Sequence, residues 1–319
     1  MGETERKRAK MLSQFPPKAY EWLLNNEMGK LFWAYFLAPK GTHLSILGYP
    51  GSGKTQKAIW LLNWLKHIET PIWFDTGKDE EIGPLFLRGK KVHIILPLNG
   101  NIEIAGSDLP EYSLSYAIEP RDFWKLIKPG EINIFSVRNF FYSENARSKY
   151  YSAMFRELSR MAYSNAFRKA GIERLSVFLD EAHQMVPSQS MTKDKERIKA
   201  GIFVTSNVLE VRAVGIRIIT GTQDPMMVLP AARKNLPVRL LCAGSRIKSD
   251  ESALLAKLCR YAEHYQVNEG LIVYPNGMYY PTWGPWPFPF FPKPKGIRIE
   301  YSGTLDRDQV EEESVKGYA

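Results

Sequence analysis

Residues 48–55, GYPGSGKT, leave few folds open. The apolar run THLSILGY (42–49) before them reads as a buried strand, and SGKTQKAIWLLNWLKHI (52–68) after them reads as a helix, with Ile59, Leu62, Leu65 and Ile68 at helical spacing. A glycine-rich loop between strand and helix fits the spacing G-x-x-x-x-G-K-T, whose backbone N–H groups and helix N-terminus cradle phosphate. Gly48, Pro50, Gly51, Ser52, Gly53, Lys54, Thr55 and Gln56 are therefore candidate nucleotide-binding residues. Lys54 should reach the β- and γ-phosphates of ATP, and Thr55 should hold Mg2+ through its hydroxyl.

The rest of the chain supplies a sheet for this loop. PIWFDTG, KVHIILPL, GEINIFSVRN, RLSVFLDE, IRIITGTQ and VRLLCAG read as strands. Helical patterns fall at 17–38, about 144–170, and SDESALLAKLCRYAEHY, the last capped by Ser249 or Asp250. LIVYPNGMYY reads as a hairpin turning at Asn276-Gly277. Alternating strands and helices predict an α/β fold with a mainly parallel central sheet flanked by helices. The expected organisation is a helical lead (1–40), a nucleotide-binding core (41–283) and a proline- and aromatic-rich arm with an acidic tail (284–319). GPWPFPFFPKPKG is too rich in proline for sheet or helix, which suggests an extended arm packing on a neighbouring subunit or a capsid partner.

The second half of a phosphate site lies in RLSVFLDEAHQM (174–185). Val177, Phe178 and Leu179 form an apolar strand that ends at Asp180, and ligands of open parallel sheets bind at that end. Asp180 suits Mg2+, and Glu181 suits the general base that deprotonates an attacking water. His183 reads as a polar neighbour rather than a metal ligand. The letters DEAH name a helicase box, but the chain carries no later Q-x-x-G-R-x-G-R-like motif, and the proline-rich end does not suit a second lobe.

Further along the chain stands VRAVGIRIITGTQDP (211–225), with Gly215 before an apolar strand and Thr222-Gln223 at its end. Together with THLSILGYPGSGKT, FLDEAHQM and LPAARKNLPVRLLCAGSRIKSDESALL (229–255), it resembles the HerA/FtsK superfamily of DNA pumps over about residues 42–275. The resemblance implies a RecA-like ATPase core, a homo-oligomeric, hexameric ring, and double-stranded DNA as partner. It implies that Gln223 senses the γ-phosphate and that Arg212 reaches the ATP of the neighbouring subunit, with Arg233 and Arg239 as rivals. The trimmed form, without the β-barrel of HerA, the membrane helices of FtsK and coupling proteins, or an evident winged helix, resembles the packaging ATPases of membrane-containing icosahedral viruses. The expected task is genome packaging beside capsid proteins. Conjugative transfer beside transfer-machinery proteins, or a secretion or pilus ATPase with protein cargo, are the alternatives.

The formal net charge of +9 admits a polyanionic partner. A pump grips phosphates without reading bases. SQSMTKDKERIKAG (188–201), read as a loop, offers Lys193, Lys195, Arg197 and Lys199 for that contact, while the basic helix near 144–170 is expected to face solvent. Cys242 and Cys259 lie outside any CxxC pair and read as reduced, structural thiols of a cytoplasmic protein, in a host cytoplasm or with a virion if viral. MGETERKRAK has no apolar run behind it and is not a signal peptide, and LFWAYFLAP (31–39) is far shorter than the ~20 residues a bilayer needs. No integral membrane segment is expected.

Overall fold

The computed structural model describes residues 3–38, 42–75, 79–86, 89–106, 109, 111–141, 143–187, 192–211, 214–223, 234–247, 252–267, 269–283, 286–287 and 297–303. The strands are β1 (Leu44–Leu47), β2 (Thr70–Asp75), β3 (Val92–Pro97), β4 (Asn101–Ala105), β5 (Tyr112–Ala117), β6 (Ile132–Ser136), β7 (Leu175–Leu179), β8 (Ile216–Thr222), β9 (Val238–Cys242), β10 (Gly270–Val273), β11 (Tyr279–Pro281) and β12 (Arg298–Ser302). Ten of them form one sheet in the order β11-β10-β9-β1-β8-β7-β2-β6-β3-β5. The run from β9 to β5 is parallel throughout, and β10 and β11 extend it antiparallel. The expected α/β fold with a mainly parallel sheet is present.

Each inner strand is buried along its length, so its residues feed two cores by alternation. Ile72, Phe74, Val177 and Leu179 point to one face, and Trp73 and Phe178 to the other. The first face is covered by α6 (Glu144–Tyr163) and α8 (Lys195–Val211), which pack along each other. One face of the basic helix is therefore core, while Lys149, Arg156 and Arg160 stay exposed to solvent as expected, and Arg147 is the exception. Tyr150, Tyr151, Met154, Phe155 and Leu158 of α6 enter the core, and the helix ends at Tyr163 because Asn165 takes a left-handed φ of 56°.

The second face holds α4 (Lys54–Leu65), the helix of the glycine loop; α5 (Asp79–Phe86) follows β2, and the short α7 (Ala166–Lys169) follows α6. Helix α4 is buried nearly all round, with Trp60 and Trp64 facing the N-terminal lead. That lead is not one helix over 17–38. α1 (Glu3–Leu12) and α2 (Pro17–Asn25) precede a break at Asn26, whose side chain accepts from the N–H of Met28 and Gly29. α3 (Glu27–Phe32) and a π-helical turn to Leu37 complete it. An Asn with extended backbone and a capping carbonyl starts a helix rather than continuing one.

Part of the expected arm belongs to this chain's own core. The Trp286 ring packs edge-on against Phe32, Trp60 and Trp64, and β12 pairs antiparallel with β4. Residues 288–296 and 304–319 lie outside the described residues. The last expected helix is α9 (Ala253–Ala262), capped by Ser252 and not by Ser249 or Asp250, which lie outside the described residues. The hairpin at Asn276-Gly277 forms as expected, with Gly277 at φ 83°. Both cysteines are buried and outside any disulfide, in keeping with structural thiols. Among the described residues no helix is long and apolar enough to cross a membrane.

One buried cation stands out. Lys57 of α4 is fully buried and donates from Nζ to the Thr282 hydroxyl at 2.6 Å, and burial pulls its pKa from 10.5 down to about 7. Between those values the unfolded chain binds a proton that the folded chain has released, so the contribution of Lys57 to stability rises with pH across that window. We expect wild-type urea midpoints to climb from about pH 7 to about pH 10 more than those of Lys57→Met, which has no proton to lose. Parallel curves for the two proteins would show that Lys57 carries its ordinary charge.

Candidate functional site

The carboxyl ends of β1, β8 and β7 lie side by side, because β8 is inserted between the strand of the glycine loop and the strand of the paired carboxylates. Residues far apart in sequence thereby converge on one edge.

The loop after β1 wraps tightly. Gly51 and Gly53 hold φ of 81° and 88°, where a side chain would be strained. A Cβ on Gly48 would lie 2.4 Å from Ser52 Oγ and 2.9 Å from Cys242 Cβ. Ser52 Oγ is buried without a hydrogen-bond partner among the described residues. Lys54 Nζ donates to the carbonyls of Gly48 at 3.1 Å and Tyr49 at 3.0 Å, so its ammonium is folded back over the loop. Pro50 and Gly51 are exposed, and Thr55 and Gln56 are half-buried at the helix start.

Thr55 Oγ1 donates to Asp180 Oδ2 at 2.7 Å, bringing together the two oxygens expected at a metal. Asp180 Oδ1 accepts the Glu181 N–H at 3.2 Å. Glu181 itself adopts φ 54°, ψ 49°, a left-handed conformation that costs a non-glycine residue of order 1–3 kcal/mol. The sharp turn this makes at the strand end presents its carboxylate to Gln223, whose Nε2 donates to Glu181 Oε1 at 3.3 Å. His183 Nδ1 stands 3.3 Å from Glu181 Oε2, so His183 is a neighbour of Glu181. Glu181 is held between an amide and an imidazole.

This set fits a Mg2+-bound nucleotide. Orphaned Ser52 Oγ, the glycine cradle and a hydroxyl–carboxylate pair form the donor set that Mg2+ and phosphate use when the ion keeps several waters. Thr55 and Asp180 would hold the ion.

Two contributors escaped the sequence reading. Gly221 lies on β8 opposite Asp180, and a Cβ there would fall 2.3 Å from Asp180 Oδ1. A glycine inside a β-branched strand is the available signal for such a close approach. Asp75, buried at the end of β2, accepts from Ser136 Oγ at 2.6 Å and from Tyr301 Oη at 2.7 Å, so β12 reaches the same edge of the sheet. Nothing local marks that contact.

Other expectations fare differently. Arg212 and Arg233 lie outside the described residues. Arg239 sits on β9 and donates to Ser45 Oγ at 2.9 Å, tied into the sheet flank. The basic segment is not a loop throughout. Asp194 accepts from the N–H of Glu196 and Arg197 and starts α8, so Lys195, Arg197 and Lys199 are helical. Lys193 and Lys195 are exposed. Lys199 pairs with Glu196 at 2.9 Å, which raises its pKa, and Arg197 pairs with Glu144. Residues 188–191 of that stretch are outside the described residues.

No protein-family model matches the chain, and no curated protein does. Among solved structures it is similar to the genome packaging NTPase B204 from Sulfolobus turreted icosahedral virus 2 in complex with ATP-gammaS, at 13% identity over 76% of this chain and 96% of that chain, TM-score 0.45. It is similar to VirB4 of Thermoanaerobacter pseudethanolicus at 14% identity over 76% and 89%, TM-score 0.45. It is also similar to the pCW3 conjugation coupling protein TcpA with ATPgS at 15% identity over 73% and 57%, TM-score 0.39.

Proposed function

We propose that this protein hydrolyses ATP to drive double-stranded DNA, as a ring motor of the HerA/FtsK kind whose task is viral genome packaging. The observation that carries the hydrolytic part is the paired contact at one sheet edge, Thr55 to Asp180 and Gln223 to Glu181. It joins the glycine loop, the paired carboxylates and the sensor position in the arrangement that phosphoryl transfer to water requires.

When bound, Mg2+ neutralises charge on the β- and γ-phosphates. Lys54 leaves its two loop carbonyls for the phosphates, which offer its ammonium full counter-charge. The Glu181 carboxylate takes a proton from the water that attacks the γ-phosphorus, while the bond to the β-phosphate oxygen breaks. Gln223 orients that carboxylate beforehand, and its hydrogen bond can change with the nucleotide state, which offers a switch at the end of β8.

DNA as the cargo is supported by the order of the four sequence motifs, the formal net charge of +9 and the exposed Lys193 and Lys195. Duplex DNA of unrelated sequences should bind alike, with log K falling with log salt by about 0.9 per phosphate contact, and should stimulate ATP turnover. Turnover indifferent to duplex DNA would remove the motor and favour a protein-handling ATPase. A hexameric ring with Arg212 acting on the next subunit's ATP completes the proposal, since a planar, permanent charge suits the spreading γ-phosphoryl charge. Mixing inactive Arg212→Ala with inactive Glu181→Gln should then restore part of the turnover, and mixtures that exchange subunits but stay inactive would exclude that role.

A further inference from the structure

Arg138 lies just after β6 in a short turn, Arg147 is one turn into α6, and Arg197 is in the first turn of α8. The parallel strands β6 and β7 both end at the carboxyl edge, so the two helices that come after them start there. One carboxylate answers two of these cations. Glu144 Oε2 accepts from Arg197 Nη1, and Glu144 Oε1 lies 3.7 Å from Arg147 Nη2.

The burial is inverted from that of an ordinary surface pair. The Arg147 and Arg197 side chains are only 10% and 14% exposed, whereas Glu144 is 62% exposed. Nε of Arg147 and Nε of Arg197 are both buried without a hydrogen-bond partner among the described residues. Burial lowers the pKa of Arg147, and the charges of Arg138 and Arg197 press the same way. The other carboxylates near the start of α8 are committed elsewhere, Asp194 to capping and Glu196 to Lys199. The mostly buried guanidinium groups of Arg147 and Arg197, whose Nε donors lack a partner among the described residues and which share one exposed carboxylate, are costly unless a second anion completes them.

We infer that Arg138, Arg147 and Arg197 form a seat for one backbone phosphate of duplex DNA, with the Glu144 carboxylate as its internal placeholder. The inference rests on the DNA-motor reading. Two guanidinium forks match the non-ester oxygens of a phosphodiester and read no base. The chain's own nucleotide cannot supply that phosphate. From β1 to β6 is four strand steps, about 19 Å at the usual strand spacing. Lys193 and Lys195, exposed at the start of α8, continue the positive track.

The test titrates a labelled duplex of arbitrary sequence across salt, with thermal unfolding as a check on folding. Glu144→Gln removes the placeholder from an exposed position and should tighten binding several-fold. Arg138→Gln and Arg147→Lys should each weaken it, on the order of tenfold, and lower the salt slope by about 1. A steep wild-type salt slope that all three folded variants share would overturn the phosphate seat and leave the motor standing. Unchanged duplex binding with lost ATP turnover would overturn it too, by assigning the arginines to the nucleotide of a neighbouring copy. Absence of duplex binding by the wild type would overturn both seat and motor.

Discussion

Glu181→Gln is expected to bind ATP as the wild type does while turnover falls by about 10²–10⁴-fold, the range that loss of a general base produces. The substitution keeps the side-chain length and the αL turn at the end of β7, and the new amide can still meet Gln223. Thr55, Asp180 and Lys54 are untouched, so the phosphate cradle stays as built. Only the capacity to accept a proton goes. Phosphate release in the steady state measures turnover, and titration with a fluorescent nucleotide measures binding. Wild-type turnover in this variant would take Glu181 out of the chemistry and turn attention to Asp75, the buried carboxylate at the end of β2.

The parts of this site legible in the sequence are those whose signal is local. The glycine loop needs positive φ at Gly51 and Gly53, and those requirements are written into consecutive residues. Asp180 and Gln223 each directly follow a strand-like run, so their position on the sheet edge is fixed once the strand is recognised. Gly221 is legible only with hindsight, because a lone glycine in a strand does not say which neighbour comes close.

What stayed hidden depends on partners distant in sequence. β12 pairs with β4 across almost 200 residues of chain, and Trp286 docks on α4 from within a proline cluster. Composition marks such a stretch as an arm, whereas aromatic burial makes part of it a lid on the core. The charge pattern of α6 places Lys149, Arg156 and Arg160 correctly in solvent but misses Arg147 for a related reason. Arg147 is buried where two helices meet the sheet edge, which no count of lysines and arginines along one helix can show.

Glu69→Ala should lower the unfolding free energy by about 3–5 kcal/mol, the cost of leaving a buried charge without its partner. Glu69 sits just before β2, Arg174 just before β7, and Arg217 on β8, so the three meet at the amino edge of the strands whose other ends carry Asp75, Asp180 and Gln223. The Glu69 carboxylate accepts from Arg217 Nη2 at 2.8 Å and lies 3.1 Å from Arg174 Nη2, with the Glu69 and Arg217 side chains at 1% and 3% exposure. Arg217 Nη1 also donates to the Phe36 carbonyl, its guanidinium lies 4.7 Å from the centre of the Phe36 ring, and Arg174 Nη2 donates to the Ala38 carbonyl at 3.1 Å. The clamp thus fastens the N-terminal lead to the strands of the site. Removing the carboxylate leaves two guanidinium groups facing each other in a region sealed from water. Urea unfolding should show the loss as a lower midpoint with an unchanged slope. The double variant Glu69→Ala, Arg217→Met should recover part of it, because the second change removes one of the stranded charges. If the single variant loses less than about 1 kcal/mol, the value typical of an exposed pair, water reaches the triad and the clamp contributes little to holding the three strand ends together.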